Sequence, residues 1–182
     1  MKRVLVPLAK GFEEIEAVAV IDILRREGVE VVVAGLQAGV IEASRKTKHL
    51  ADCTLDEVRA EDFDMIVLPG GQPGATNLRN DPRIKKIIET LKSKNRYIAA
   101  ICAAPRVLSA FGILKDRVAT SHPSVRNGLD AARVSDDRVV VDGPVITSQS
   151  AGSAMEFAFT LVEILCGKEK AVEVNRSLLA NL

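Results

Sequence analysis

The chain has 182 residues, 47% of them hydrophobic and 27% charged, with a formal net charge of +1. That balance describes a soluble globular chain with a sizeable core in one domain, residues 1–182, and it argues against nucleic acid or an anionic membrane as partner. No apolar run approaches the roughly 20 residues of a membrane span. Three widely spaced cysteines and two histidines fit reduced thiols in a cytoplasm better than a disulfide framework or a zinc site.

Strands and helices alternate along the chain. Val4–Leu8 is a continuous apolar run behind Met1-Lys2-Arg3, and it reads as a buried first strand, not a signal peptide. Glu13–Glu27 carries a helical stripe of Ile15, Val18, Val20, Ile21 and Leu24, with Gly28 placed as a left-handed cap. Its apolar residues run almost all round the helix, more than one face on a sheet needs. That excess predicts a two-fold homodimer through this helix and the Gly39–Arg45 region. Val29–Ala34 reads as the second buried strand and Lys46–Leu50 as strand-like. Thr54-Leu55-Asp56-Glu57 is a capping box, and Met65–Leu68 is the third buried strand. Asp81 as N-cap and Pro82 at the first helical position open a helix to about Lys94.

Ile98–Ile101 is the next strand, followed by an expected helix over Ala103–Phe111 that closes at Gly112. Arg117–Ser121, Arg133–Ser135, Val139–Val141 and Val145–Ser148 read as strands, with turns at Asp136-Asp137 and Asp142-Gly143. Met155, Phe157, Ala158, Leu161, Val162 and Leu165 mark a buried helix stopped at Gly167, and a last helix covers Glu169 to about Leu179. The alternation predicts an α/β fold whose parallel sheet is covered by helices on both faces.

In such sheets ligands bind beyond the carboxyl ends of the strands. One strand ends in Ile101-Cys102-Ala103-Ala104-Pro105, the layout of a nucleophile elbow, with small residues at Ala100 and Ala104. A helix starting directly behind Cys102 would favour its thiolate, although most free cysteines are inert small hydrophobes. Pro69-Gly70-Gly71 ends another strand, and its backbone N–H groups could form a nest for an oxyanion. Gly71 N–H together with Ala103 N–H would bind the oxygen of an adduct on Cys102. Glu16 falls among core-facing positions near the start of the first helix, where desolvation would raise its pKa and let it trade a proton with the thiol. His122 ends a strand and could reach the same rim or serve as a structural hydrogen-bonder, and His49 has no assigned role. Cys166 reads as core and Cys53 as a half-buried spectator.

Three motifs, Ala9-Lys10-Gly11-Phe12-Glu13-Glu14-Ile15-Glu16, Val67-Leu68-Pro69-Gly70-Gly71 and Ala99-Ala100-Ile101-Cys102-Ala103-Ala104-Pro105, together resemble the ThiJ/PfpI superfamily, most closely its deglycase branch. The resemblance runs from about Lys2 to Leu179 and takes in Ser44-Arg45, Thr120-Ser121-His122-Pro123, Thr147-Ser148 and Met155-Glu156-Phe157-Ala158. It implies a flavodoxin-like three-layer sandwich and a homodimer. It also implies that Cys102 is the reactive cysteine, that Glu16 touches its sulfur, and that Gly70, Gly71 and Ala103 shape the oxyanion site. His122 matches a histidine near the cysteine in some members. Arg45 and Arg26 match arginines near the site, the latter reaching across the dimer interface. The protease-like branch has a histidine directly after the cysteine; here that residue is Ala103, which argues against peptidase activity.

Two functions need these same residues. One is a glyoxalase or protein deglycase, without metal or cofactor, acting on dicarbonyls such as methylglyoxal and on glycated amino groups. The other is a redox-sensing or chaperone-like stress protein whose Cys102 oxidises to a sulfinate.

Overall fold

The computed structural model describes residues 1–182. In chain order it contains β1 (Arg3–Leu8), α1 (Glu14–Arg26), β2 (Glu30–Gly35), β3 (Val40–Glu42), β4 (Lys48–Leu50), β5 (Cys53–Thr54), β6 (Met65–Leu68), α2 (Gly74–Asn80) and α3 (Pro82–Ser93). There follow β7 (Tyr97–Ile101), α4 (Pro105–Ala110), β8 (Val118–Ala119), α5 (Pro123–Arg126), β9 (Arg133–Val134), β10 (Val139–Asp142), β11 (Val145–Ser148), α6 (Ala154–Cys166) and α7 (Lys168–Ser177).

The seven-stranded sheet has the order β10-β11-β7-β6-β1-β2-β5, parallel throughout except for β10, which pairs antiparallel with β11. Its central strands are apolar on both faces because helices cover both. Alternation along β1 makes the division visible: Val4 and Val6 join α1 and α6 side chains such as Leu24, Phe157 and Leu161, whereas Leu5 joins Leu78, Ile88 and Leu108 from α2, α3 and α4. The result is a flavodoxin-like three-layer sandwich.

Local chemistry fixes the helix starts. The Glu13 side chain caps α1 by accepting the Glu16 N–H at 2.9 Å, and Asp81 caps α3 by accepting the Arg83 N–H at 2.9 Å, with Pro82 behind it. Gly28 takes the left-handed conformation (φ 71°) after α1.

Several boundaries differ from the sequence-based expectation. The helix behind Cys102 is Pro105–Ala110, not Ala103–Phe111, because residues 102–104 form a turn. Helix α2 follows a Gly/Pro-rich loop and has weak intrinsic propensity; burial of Ala75 and Leu78 supports it. The strand-like Lys46–Leu50 is one arm of a β3–β4 hairpin. The Arg117–Ser121 strand shrinks to Val118–Ala119. The β10–β11 turn is Gly143-Pro144, since Asp142 pairs with Val145. Met155 lies 38% exposed on a helix whose other marked residues are buried.

Candidate active site

Cys102 follows β7 at a backbone φ of 64°, a left-handed conformation that turns the chain sharply away from the sheet. Hydrogen bonds from both sides hold it there. Its N–H donates to the Ser148 carbonyl at the end of β11 (2.9 Å), and its carbonyl accepts the His122 N–H (2.9 Å). Ala100, Ala103 and Ala104 around the turn are buried, which explains the need for small residues on either side. Because α4 opens only at Pro105, Cys102 does not sit in a helical first turn, contrary to the sequence-based expectation. The N–H groups that face its sulfur, short of full hydrogen-bond geometry, belong to Gly71 and Ala103.

The loop after β6 brings these groups together. A Cβ on Gly70 would lie 2.7 Å from Cys102 Cβ, 2.8 Å from Glu16 Oε2 and 2.9 Å from the Ala103 nitrogen. Gly71 has φ 83°, and a Cβ there would meet the Glu13 nitrogen at 2.5 Å and the Gly11 carbonyl oxygen at 2.7 Å. Both glycines are therefore required by close approach. The acid-rich start of α1, the loop after β6 and the turn after β7 are packed against one another with no room between them.

Glu16 is 1% exposed. Its Oε2 accepts the Gly70 N–H at 2.8 Å, while Oε1 has no partner at full hydrogen-bond geometry and the carboxyl faces the Cys102 thiol and the Ala151 N–H. Burial raises the Glu16 pKa to about 7 against the opposing pull of these donors. The thiol of Cys102 is pushed up to about 12, first by burial and then by the Glu16 charge, against the Gly71 and Ala103 amides. The expected stabilised thiolate is thus corrected: next to an ionised Glu16 the thiol keeps its proton. Two buried anions in contact are mutually unfavourable, so near neutral pH the pair carries at most one negative charge. Thiolate forms here only when Glu16 holds a proton.

The remaining residues divide. His122 stands at the rim as N-cap of α5, with Nδ1 2.7 Å from Ser124 Oγ, so one ring nitrogen is occupied. Arg45 is exposed on the β3–β4 loop, where its N–H donates to Glu14 Oε1 (2.9 Å). Arg26 pairs with Asp22 (2.7 Å) at the opposite end of α1 from Glu16, and within one chain it does not reach the thiol. His49 lies edge-on to Phe12, with ring centroids 5.1 Å apart. Cys53 and Cys166 are half-buried, and burial raises both thiols; Cys166 is less enclosed than the core position expected of it. Sequence reasoning does not single out Ala151. Its only local signal is the Ser150/Ser153 spacing, whose side chains close a capping box around that turn.

No three His, Cys, Asp or Glu side chains converge to hold a metal ion. A surface cavity of about 580 Å³ lies between Leu8, Lys10, Leu36, Ile41, Asn77 and Arg83 and does not include the thiol. No helix is long and apolar enough to cross a membrane.

Residues 2–164 match the model of the DJ-1/PfpI family. Protein DJ-1 homolog A of Arabidopsis thaliana is 42% identical over 97% of this chain, and the chain spans 46% of that relative's length. The Caenorhabditis elegans protein named glutathione-independent glyoxalase DJR-1.2 is 38% identical over 87% of this chain and 85% of its own. The structure of oxidized Toxoplasma gondii DJ-1 has a TM-score of 0.95 to this one, at 39% identity over 98% of both chains.

Proposed function

This chain belongs to the DJ-1/PfpI family, and from that premise we propose that it is a glyoxalase- and deglycase-type enzyme, free of metal and cofactor, acting on reactive dicarbonyls and glycated amino groups. The observation that carries this reading is a buried carboxyl group with a pKa near neutrality facing a thiol that two backbone amides also face. The glyoxalase relative in Caenorhabditis elegans supports the reaction class.

With methylglyoxal, the Cys102 sulfur adds to the aldehyde carbon. The new C–S bond is balanced by the carbonyl π electrons moving to oxygen, which the Gly71 and Ala103 N–H groups receive. Glu16, holding the proton it took from the thiol, gives it to that oxygen to make the hemithioacetal, then removes the proton from the same carbon to give an enediolate. Returning that proton to the neighbouring carbon, while the hydroxyl proton passes to the adjacent alkoxide oxygen, yields a thioester of lactate. Water cleaves the thioester, releasing lactate and the thiol. A group with a pKa near 7 can both take and give a proton at neutral pH. With its Nδ1 held by Ser124, His122 supports a rim contact better than a second proton carrier.

Peptide hydrolysis needs a base and an acid placed for an amine leaving group. Ala103 stands where the protease-like relatives carry histidine. The same reading places the protein in a reducing cytoplasm, as a homodimer through exposed Ile15 and Val18 of α1 and Val40 and Leu50 of the hairpin.

The test is lactate formation from methylglyoxal in EDTA without glutathione. Wild type should exceed Cys102→Ser by at least tenfold, and equal rates would overturn the enzyme reading. A second reading, an oxidation sensor, draws on the same amide pair and on the relative solved in oxidized form. It expects peroxide to place two oxygens on Cys102 before Cys53 or Cys166.

A further inference from the structure

We propose that Arg79 and Arg106 select aldehydes bearing a carboxylate or phosphate group at the mouth of this site. The inference deepens the reading of Cys102 as nucleophile and rests on it. Helices α2 and α4 pack together, and Gln72, Ala75, Thr76, Arg79, Ala103, Arg106 and Val107 line one crevice between them of only about 10 Å³, so an anion meets the two guanidinium groups at its surface and not inside it. That crevice contains two guanidinium groups and no carboxylate. It shares Ala103, whose N–H faces the Cys102 sulfur.

Eight arginines of the chain pair with carboxylates, and of the six that do not, Arg79 and Arg106 are the two that share one crevice. No side-chain hydrogen bond occupies either group, although Thr76 and Gln72 in the same crevice bond to each other at 2.8 Å. Arg106 is exposed and Arg79 partly so; both forks are free to turn toward a ligand. Guanidinium forks match carboxylate and phosphate oxygens in bidentate geometry. Glu16, the acid nearest the thiol, is 1% exposed and does not line the crevice. An anionic substrate therefore meets two unpaired cations at the rim and little opposing charge. A neutral dicarbonyl gains nothing from them.

Alkylation of Cys102 tests this without requiring turnover. Iodoacetate and iodoacetamide are close in shape and differ by the carboxylate. In both, the sulfur forms a bond to the CH₂ carbon, iodide leaves, and the thiol proton passes to solvent. The rate ratio of iodoacetate to iodoacetamide at Cys102, followed by peptide mass spectrometry, reads the rim charge. Exposed charges contribute only modestly, so Arg79→Gln and Arg106→Gln should each lower the ratio about threefold, and the double variant about tenfold. Arg59→Gln, an exposed arginine outside this crevice, should leave it unchanged. About 0.5 M NaCl, with a Debye length near 4 Å, should compress the wild-type ratio toward that of the double variant. Millimolar inorganic phosphate should slow iodoacetate at the wild-type thiol only. An equal ratio in wild type and double variant overturns the proposal while leaving the nucleophile reading intact. Failure of either reagent to label Cys102 overturns both.

Discussion

The Gly70 N–H donates to Glu16 Oε2 at 2.8 Å, and a Cβ on residue 70 would lie the same 2.8 Å from that oxygen and 2.7 Å from Cys102 Cβ. One residue thus holds the acid and sets its spacing from the thiol. Gly70→Ala should drive the two apart. Overpacking of this kind costs about 1–3 kcal/mol, which the fold can absorb, whereas misplacing reacting groups by about 1 Å can reduce turnover a hundredfold. Lactate formation should fall at least tenfold with the melting temperature lowered by about 2–12 °C. Unchanged turnover in a folded Gly70→Ala protein would show that the spacing does not matter.

Glu14 fastens the hairpin loop that carries Ser44 and Arg45. Its Oε2 accepts Ser44 Oγ at 3.0 Å, and its Oε1 accepts the Arg45 N–H at 2.9 Å and Thr47 Oγ at 3.0 Å. Partial desolvation pushes its pKa up, but these donors and the local backbone outweigh it and hold the carboxyl below its ordinary value. A depressed folded-state pKa contributes stability at neutral pH that is lost as pH falls through that value. Glu14→Ala should therefore speed amide exchange at Arg45 and across residues 43–47 at least tenfold at pH 7. Acidifying wild type below about pH 4 should lower the protection of these amides likewise, once the slower intrinsic exchange in acid is divided out. Equal exchange in both proteins at pH 7 would show that the loop is held by its backbone hydrogen bonds, Ser44 to Phe12 and Ala43 to Thr47, without Glu14.

The core of the fold was legible because its signals are local. Met65–Leu68 and Val145–Ser148 match their strands residue for residue, and the Asp81-Pro82 start of α3 follows from capping chemistry. Misses occur where tertiary contact decides. Helix α2 has no strong propensity of its own, and the length of α4 depends on the turn that Cys102 makes between Ser148 and His122. Within the site, Cys102, Glu16, Gly70, Gly71 and Ala103 stand at the ends of elements that a sequence can locate, and the structure brings them together. The raised pKa of Glu16 follows from its core-facing position, as expected, whereas the protonation of Cys102 does not, because it depends on burial and on the charge of a residue 86 positions away. Arg26 falls outside the site of its own chain for a plain reason. It lies ten residues along α1 from Glu16, about 15 Å of helix.

The exposed apolar residues of α1 give a quaternary prediction. Ile15 and Val18 lie three apart on one helix face, 58% and 46% exposed, and the hairpin adds Val40 and Leu50 at 62% and 73%. A homodimer that buries them would have about twice the 19.6 kDa chain mass. Light scattering at micromolar concentration should report that doubled mass for wild type and the single-chain mass for Val18→Asp, with unchanged circular dichroism. A wild-type monomer would refute the dimer.

The last prediction concerns Glu16 and the pH dependence of stability. Its pKa of about 7 exceeds the ordinary carboxylate value because burial disfavours the charge. A raised folded-state pKa means that the folded protein binds the proton more tightly than the unfolded chain does. The resulting stability is fully present below the unfolded pKa, near 4.3, and is lost as pH rises to about 7. At about 1.4 kcal/mol per unit, the loss is on the order of 3 kcal/mol, or roughly 6–12 °C in a domain of this size. Glu16→Gln is close to the protonated acid in shape and cannot ionise, so it should lack this slope. Between pH 4.5 and 7 the melting temperature of wild type should therefore fall relative to Glu16→Gln, and above pH 8 the difference should level off. The same variant cannot pass a proton, so it should be more stable than wild type at pH 8 and at least tenfold slower on methylglyoxal. Parallel melting curves for the two proteins across this range would show that Glu16 is ionised throughout, and the shared-proton mechanism would fall with that result.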